Sequence, residues 1–499
     1  MNLPNYFLSD QVNSASSKIL NITLASPSPK SNPPSKKSSP PSQLENDGDP
    51  VGFDEFFTLA RSDGWSIYKI SPLRLIHKIV IPNGSLKIVL PLHHSNLVFL
   101  VGGPPSPLYS PNKIVIFDLS ISKAVFSIEF TSNVLGLTAK NDNILVVLLN
   151  KIFLFNLSKN QICLQTSWDT CSNPKGLIAL NSDFTSNLLT FPARQSGKLH
   201  LVHLSPFNLH PSNHQISNSS PHPSTSILVA HTTPLACLAL TPSGHLIATA
   251  SIKGTLIRIW DTKSSILLRE LRRGSDTADI WSLRFSPDGH AIGASSDKGT
   301  IHFWNLKEKF NSKIQNQSDK INKPLTLIKP YLPKYFHSTW SDGFFKLPPP
   351  ASTSNRSLQN LFSLNSFKPD SSKSNHSNHQ TQSASNQIPT IENDPSLVSW
   401  VLSSHSINGI SSIEPQIVVV TRSGRWFRLR IPNPSKPHSP SSNQFMQSSH
   451  LTSITESNKH PTHNKSTATQ DKPFELECVE YLRFGDDDDW SDSEDENGN

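Results

Sequence analysis

The stretch HLIATASIKGTLIRIWDTKSSILLREL (residues 245–271) and its echo HAIGASSDKGTIHFWNLKEKF (residues 290–310) decide the fold. Their Lys-Gly-Thr triplets, Lys253-Gly254-Thr255 and Lys298-Gly299-Thr300, stand 45 residues apart. In each copy an apolar run ends on a tryptophan, as Ile259-Trp260-Asp261 and Phe303-Trp304-Asn305. A repeat of about 40–45 residues with this pattern is one four-stranded blade of the WD-repeat kind, which buries its faces only by stacking on neighbours around a channel. Weaker echoes lie upstream at Ile116-Phe117-Asp118 and Leu154-Phe155-Asn156.

From about Phe53 onward the chain keeps this texture. GWSIYKI, SLKIVLPL, NLVFLVG, KIVIFDL, AVFSIEF, ILVVLL and KIFLFNL are runs of strand length, rich in Val, Ile, Leu and Phe and bounded by turn residues. Helical spacing over ten or more residues is hard to find. The expectation is an all-β fold, a seven-bladed WD-type β-propeller with a disordered N-terminus, disordered inserts and an acidic tail. Residues 1–50, rich in Ser, Pro, Lys and Asn, read as disordered. Residues 51–348 hold blades one to six, with a polar loop at 205–225 and a longer loop at 307–333. The Ser/Asn/Gln-rich insert 349–393 and the Ser/His/Thr/Pro-rich insert 433–472 bury too little apolar surface to offset their ordering entropy. Between them, 394–432 starts the last blade, 473–485 supplies its final strand, and 486–499 is the tail.

Composition agrees. Of 499 residues 40 are proline, and the hydrophobic fraction is 35%, below the roughly 45–50% of ordinary globular domains. The net charge is +7, yet Asp486 to Glu496 carries eight acids; without them the remainder stands at about +15, a balance that favours anionic partners. Cys163, Cys171, Cys237 and Cys478 are widely separated with no CxxC pair, which argues against a zinc site and a disulfide framework. No basic segment followed by an apolar run opens the chain, so no secretory signal is expected. No run approaches eighteen apolar residues, so membrane contact would be peripheral. There is no HExxH, GxSxG or phosphate-cradling glycine loop, and the histidines lack metal-ligand spacing. Neither an enzyme, a metal nor a cofactor is expected.

The segment VAHTTPLACLALTPSGHLIATASIKGTLIRIWDT, followed by LLRELRRGSDTADIWSLRFSPDGHAIGASSDKGTIHFWNL, closely resembles the PROPPIN family, the phosphoinositide-binding propellers of autophagy. The signature is an aromatic residue or leucine followed by Arg-Arg-Gly, here Leu271-Arg272-Arg273-Gly274. LVGGPPSPLYSPNKIVIFD (100–118), CSNPKGLIAL (171–180), FPARQSGKLHLV (191–202) and YLPKYFHSTWS (331–341) look like further landmarks, most similar to the shorter human-type members. The resemblance implies binding of phosphatidylinositol 3-phosphate and phosphatidylinositol 3,5-bisphosphate on preautophagosomal, endosomal or vacuolar membranes from the cytoplasm. It also implies an autophagy lipid-transfer protein as partner, sought around Pro104–Asn112 and Asn173–Gly176.

The residues suit that chemistry. Arginine's planar fork donates paired hydrogen bonds to a phosphate, and consecutive extended residues point to opposite sides, so Arg272 and Arg273 serve two pockets. Gly274 lets the chain turn away unobstructed. Ser251, Lys253 and Thr255 alternate, as do Ser296, Lys298, Thr300 and His302. By resemblance, the first set with Arg272 and His231 forms one headgroup site, and the second with Arg273 forms the other. Leu271 is expected to pack. Each position also has an ordinary reading: Lys-Gly-Thr opens a strand in many WD-type blades, and a histidine at the place of His231 often braces a turn. In the loop 307–333, lysines alternate with Phe310, Ile314, Ile321, Leu325, Leu327, Ile328 and Tyr331, a composition that suits bilayer insertion. The competing reading is a generic WD-repeat interaction adaptor without lipid specificity. Nucleic acid is not expected, because basic residues are not interleaved with aromatics on one face.

Overall fold

The computed structural model describes residues 18–24, 56–92, 95–140, 142–158, 161–183, 186–204, 224–307, 338–349, 394–407, 410–432 and 473–484. Among them there is no helix; thirty strands form seven sheets that follow one another along the chain. Blade 1 opens with Ile19–Leu24, blade 2 with Leu86–Pro91, blade 3 with Gly136–Lys140 and blade 4 with Ala179–Leu180. Blades 5, 6 and 7 open with Leu235–Leu240, Ile280–Phe285 and Ser396–Ile407. Each opening strand touches that of the next blade, and Ser396–Ile407 meets Ile19–Leu24. The ring is therefore closed: a seven-bladed β-propeller.

The apolar core is divided in the same way, with one buried cluster at each of the seven seams. Strand alternation explains this. In blade 5, Ile257 and Ile259 enter the seam with blade 6, while Trp260 enters the seam with blade 4. The tryptophans that mark the repeat are 8% (Trp260) and 0% (Trp304) exposed and lie on third strands, Leu256–Asp261 and Thr300–Asn305. The upstream echoes also fall on third strands, Lys113–Asp118 and Lys151–Ser158.

Two features differ from the sequence reading. Residues 1–50 are not uniformly without structure, because Ile19–Leu24 is the inner strand of blade 1. It pairs with Phe56–Arg61 and buries Ile19 and Ile22 in the seam with blade 7. The segment 473–485 is not one strand of one blade. Phe474–Glu475 adds a parallel fifth strand to blade 6, and Glu477–Arg483 closes blade 7. Blade 5 gains a fifth strand likewise, Thr339–Trp340, parallel to Leu267–Arg272. Gly343–Lys346, a little further on, is the fourth strand of blade 6, so one short strap stitches these two blades together.

Candidate functional site

The outer strand of blade 5, Leu267–Arg272, pairs antiparallel with Leu256–Asp261, setting Leu271 opposite Ile257 and Arg272 opposite Leu256. Leu271 is buried in the seam with blade 6. Cross-strand partners share a face and successive residues alternate, so Arg272 lies on the blade 4 side and Arg273 on the blade 6 side. Arg258, on the same face as Arg272, donates from Nη1 to the Ala230 carbonyl at the end of blade 4 (2.6 Å). The two adjacent guanidiniums are thus directed apart, and both are buried, Arg272 at 8% and Arg273 at 7% exposure.

Arg272 donates from Nε to Ser338 Oγ (2.7 Å) and lies over the Trp340 ring, 5.8 Å from its centroid. Both partners belong to the strap. Arg273 donates from Nε to the Gly254 carbonyl (2.9 Å) and from Nη2 to the Asp276 carbonyl. Its amide donates to the Thr255 carbonyl (3.0 Å), which sets Thr255 opposite Arg273 rather than Arg272. Burial lowers the proton affinity of Arg273, and the carboxylates of Asp297 and Asp276 work against that; it remains a cation. Gly254 makes this arrangement possible. It has φ +60°, and a Cβ there would lie 1.8 Å from the Ala278 carbonyl oxygen.

Across the seam, the His302 ring stacks on Trp304 and its Nδ1 is 3.2 Å from Ser341 Oγ. Burial first, and then the positive charge of Arg273, pull its pKa down to about 4. His302 is therefore a neutral hydrogen-bonding group at ordinary pH. Thr300 shares its strand and face. Ser296, on the neighbouring strand, is 1% exposed, and its Oγ has no hydrogen-bond partner among the described residues. Lys298 sits exposed at the hairpin tip beside Asp297 (3.4 Å).

The alternation expected across each Lys-Gly-Thr triplet does not hold. Ser251 ends one strand and Leu256 begins the next, and Lys253 lies in the reversing turn between them; Ser296, Lys298 and Thr300 repeat this arrangement. Gly274 does not relieve a clash, since a Cβ there would meet nothing within 4 Å among the described residues. His231 takes the bracing place. Its Nε2 is 3.0 Å from Thr249 Oγ1, which also accepts from Trp260 Nε1 (3.0 Å), and burial lowers its pKa to about 4. Ser251 is buried and Lys253 is exposed. Ser338, Trp340 and Ser341 were not singled out from sequence. They lie in the quoted YLPKYFHSTWS segment, but their link to the arginines is long-range. Phe310, Ile314, Ile321, Leu325, Leu327, Ile328 and Tyr331 lie outside the described residues.

The depressed pKa values of His231 and His302 predict a pH dependence of stability. Between pH 6.5 and about 4 the unfolded chain takes up protons that the folded histidines refuse, so stability falls as pH drops through that window. The loss is on the order of 2–3 kcal/mol per histidine by pH 4. Thermal melts across this range are expected to show the decline, and His302→Gln is expected to flatten it; an unchanged slope in that variant would refute the assignment.

What the rim offers chemically is two buried cations, hydroxyls and a neutral imidazole, a set suited to holding phosphates. Among the described residues no cluster has the makings of a metal site. A closed ring of seven blades, five of four strands and two of five, defines a WD-type propeller, and it carries paired, oppositely directed arginines at the blade 5 rim. Residues 61–335, more than half of the chain, match the PROPPIN family model, and the chain belongs to that family. PROPPINs are phosphoinositide-binding β-propellers, non-enzymatic scaffolds that associate peripherally with membranes.

The chain is 34% identical over 286 residues to SVP1-like protein 2 of Pichia angusta, covering 57% of this chain and 76% of that protein. It is 37% identical over 257 residues to SVP1-like protein 2 of Emericella nidulans, covering 50% and 74%. Among solved structures, Kluyveromyces lactis Hsv2 superposes with a TM-score of 0.51 at 16% identity, covering 86% of this chain and 95% of that one. At that identity the likeness is one of fold.

Proposed function

We propose that this protein is a peripheral scaffold that reads phosphatidylinositol 3-phosphate and phosphatidylinositol 3,5-bisphosphate through two rim pockets. The observation that carries the reading is the pair Arg272 and Arg273, buried and directed to opposite faces of blade 5. In one pocket a phosphate takes the fork of Arg272, with Ser251 and Lys253 at the adjoining hairpin and His231 bracing from beneath. In the other, the phosphate draws on Arg273 in place of the backbone carbonyls, with Thr255, Thr300 and Lys298 around it. Neutral His302 and the unsatisfied Ser296 hydroxyl fill its remaining acceptor positions. The loop 307–333, through Phe310, Ile314, Ile321, Leu325, Leu327, Ile328 and Tyr331, enters the bilayer. The bound propeller then hands autophagy machinery, including a lipid-transfer protein, to preautophagosomal, endosomal or vacuolar membranes.

Flotation with phosphatidylcholine vesicles carrying a single phosphoinositide tests this. Vesicles with the 3-phosphate or 3,5-bisphosphate are expected to carry the protein up the gradient, about tenfold or more above those with the 4-phosphate, as one well-placed charged contact provides. The loaded vesicles are expected to retain the lipid-transfer protein. Equal, salt-sensitive binding to every anionic vesicle would favour the adaptor reading instead.

A further inference from the structure

The strap brings an exposed tryptophan to the rim. Trp340 is 40% exposed, although its ring packs against the Arg272 guanidinium. The register Trp340–Arg272–Leu256 runs across blade 5 at its hairpin end. At that end stand exposed Ile252 (53%) and exposed Lys253. The third strand of blade 6 starts at this end with Thr300 and runs to the opposite end at Lys307, and the described chain re-enters at Ser338, two residues before Trp340. The intervening thirty residues hold Lys309, Lys313, Lys320, Lys323 and Lys329 among apolar side chains. The carboxylates that face the arginine pair, Asp276 and Asp297, interact with Arg273.

We infer that Trp340 is the interfacial anchor of the Arg272 pocket, seated among lipid headgroups while its ring backs the guanidinium that holds the phosphate. The inference rests on the phosphoinositide reading above and adds a residue to it. An indole has an apolar body and one N–H donor, and it partitions to the boundary between headgroup and acyl chain. A cation over an aromatic ring is held by the ring's electrostatics, and the planar guanidinium fork is the group that pairs with a phosphate. Ile252 supplies a second apolar contact and Lys253 a cation for the same bilayer surface.

The test uses the full chain and phosphatidylcholine vesicles containing phosphatidylinositol 3-phosphate, with and without brominated acyl chains. Trp340→Ala is expected to weaken vesicle partitioning about tenfold, or about 1.4 kcal/mol, with an unchanged melting temperature. Of the nine tryptophans, the one removed in Trp340→Phe is expected to account for most of the quenching by brominated lipid. Trp340→Phe is expected to bind more tightly than Trp340→Ala, because a ring remains to back Arg272. If the wild-type chain binds these vesicles and Trp340→Ala binds equally well with its quenching intact, the anchor is overturned while the lipid reading stands. If the wild-type chain ignores phosphoinositide vesicles, both fall together.

Discussion

With Arg272 and Arg273 both changed to Thr, flotation on phosphatidylinositol 3-phosphate vesicles is expected to drop to the level of vesicles lacking phosphoinositide. A hydrogen bond to a charged group contributes about 1.5–3 kcal/mol, so two lost guanidiniums remove about 3–6 kcal/mol, a hundredfold or more in partitioning. Each single variant keeps one pocket and loses the gain from engaging two sites on one surface, so its defect is intermediate. Both side chains are buried, which makes the fold control essential. Thr removes the donors to Ser338, Gly254 and Asp276, and a melting temperature measured beside the flotation separates lost binding from lost structure. Residual binding equal to wild type in a folded double variant would count against the paired-arginine site.

The second large effect is on stability. Ile19 and Ile22 are 8% and 9% exposed and pack with Phe57, Leu59, Val418, Trp426 and Phe484 where blade 7 meets blade 1. Changing both to Asp places two carboxylates in that seam without partners, at a cost of about 4 kcal/mol or more. Because the ring closes only there, opening it exposes the apolar faces of both blades. The double variant is expected to melt far below wild type and to lose its near-ultraviolet signal. A melt within a few degrees of wild type would mean that the ring closes without this strand.

The same strand shows where the sequence stopped being legible. The blade period could be read because triplet and tryptophan recur at matching positions in blades 5 and 6, and because apolar runs of strand length recur along the chain. In Ile19–Leu24 the buried residues, Ile19 and Ile22, are three apart because the register shifts between Ile19 and Asn21, and the strand is six residues long in a Ser-, Pro- and Lys-rich surrounding. What orders it is contact with the far end of the chain. The arginine pair was legible as a motif, and its two directions follow from strand geometry alone. Its surroundings were not, for two physical reasons. Gly254 and Gly299, at φ +60° and +64°, sit in reversing turns, so residues two apart on either side do not share a face. Ser338 reaches Arg272 across 66 residues of sequence through an added parallel strand, and no local periodicity announces such a strand. His231 shows a limit of another kind: a brace and a ligand call for the same residue, and its place beside the Thr249 hydroxyl, which Trp260 also reaches, is not legible in the sequence.

The central claim is that one blade presents two phosphate pockets, one for each arginine. Calorimetric titration with soluble short-chain phosphatidylinositol 3-phosphate tests it without a membrane. Two equivalents per chain are expected for the wild type, one for each of Arg272→Thr and Arg273→Thr, and none for the double variant. A single equivalent in the wild type, or binding that survives loss of both arginines in a folded protein, would contradict the account.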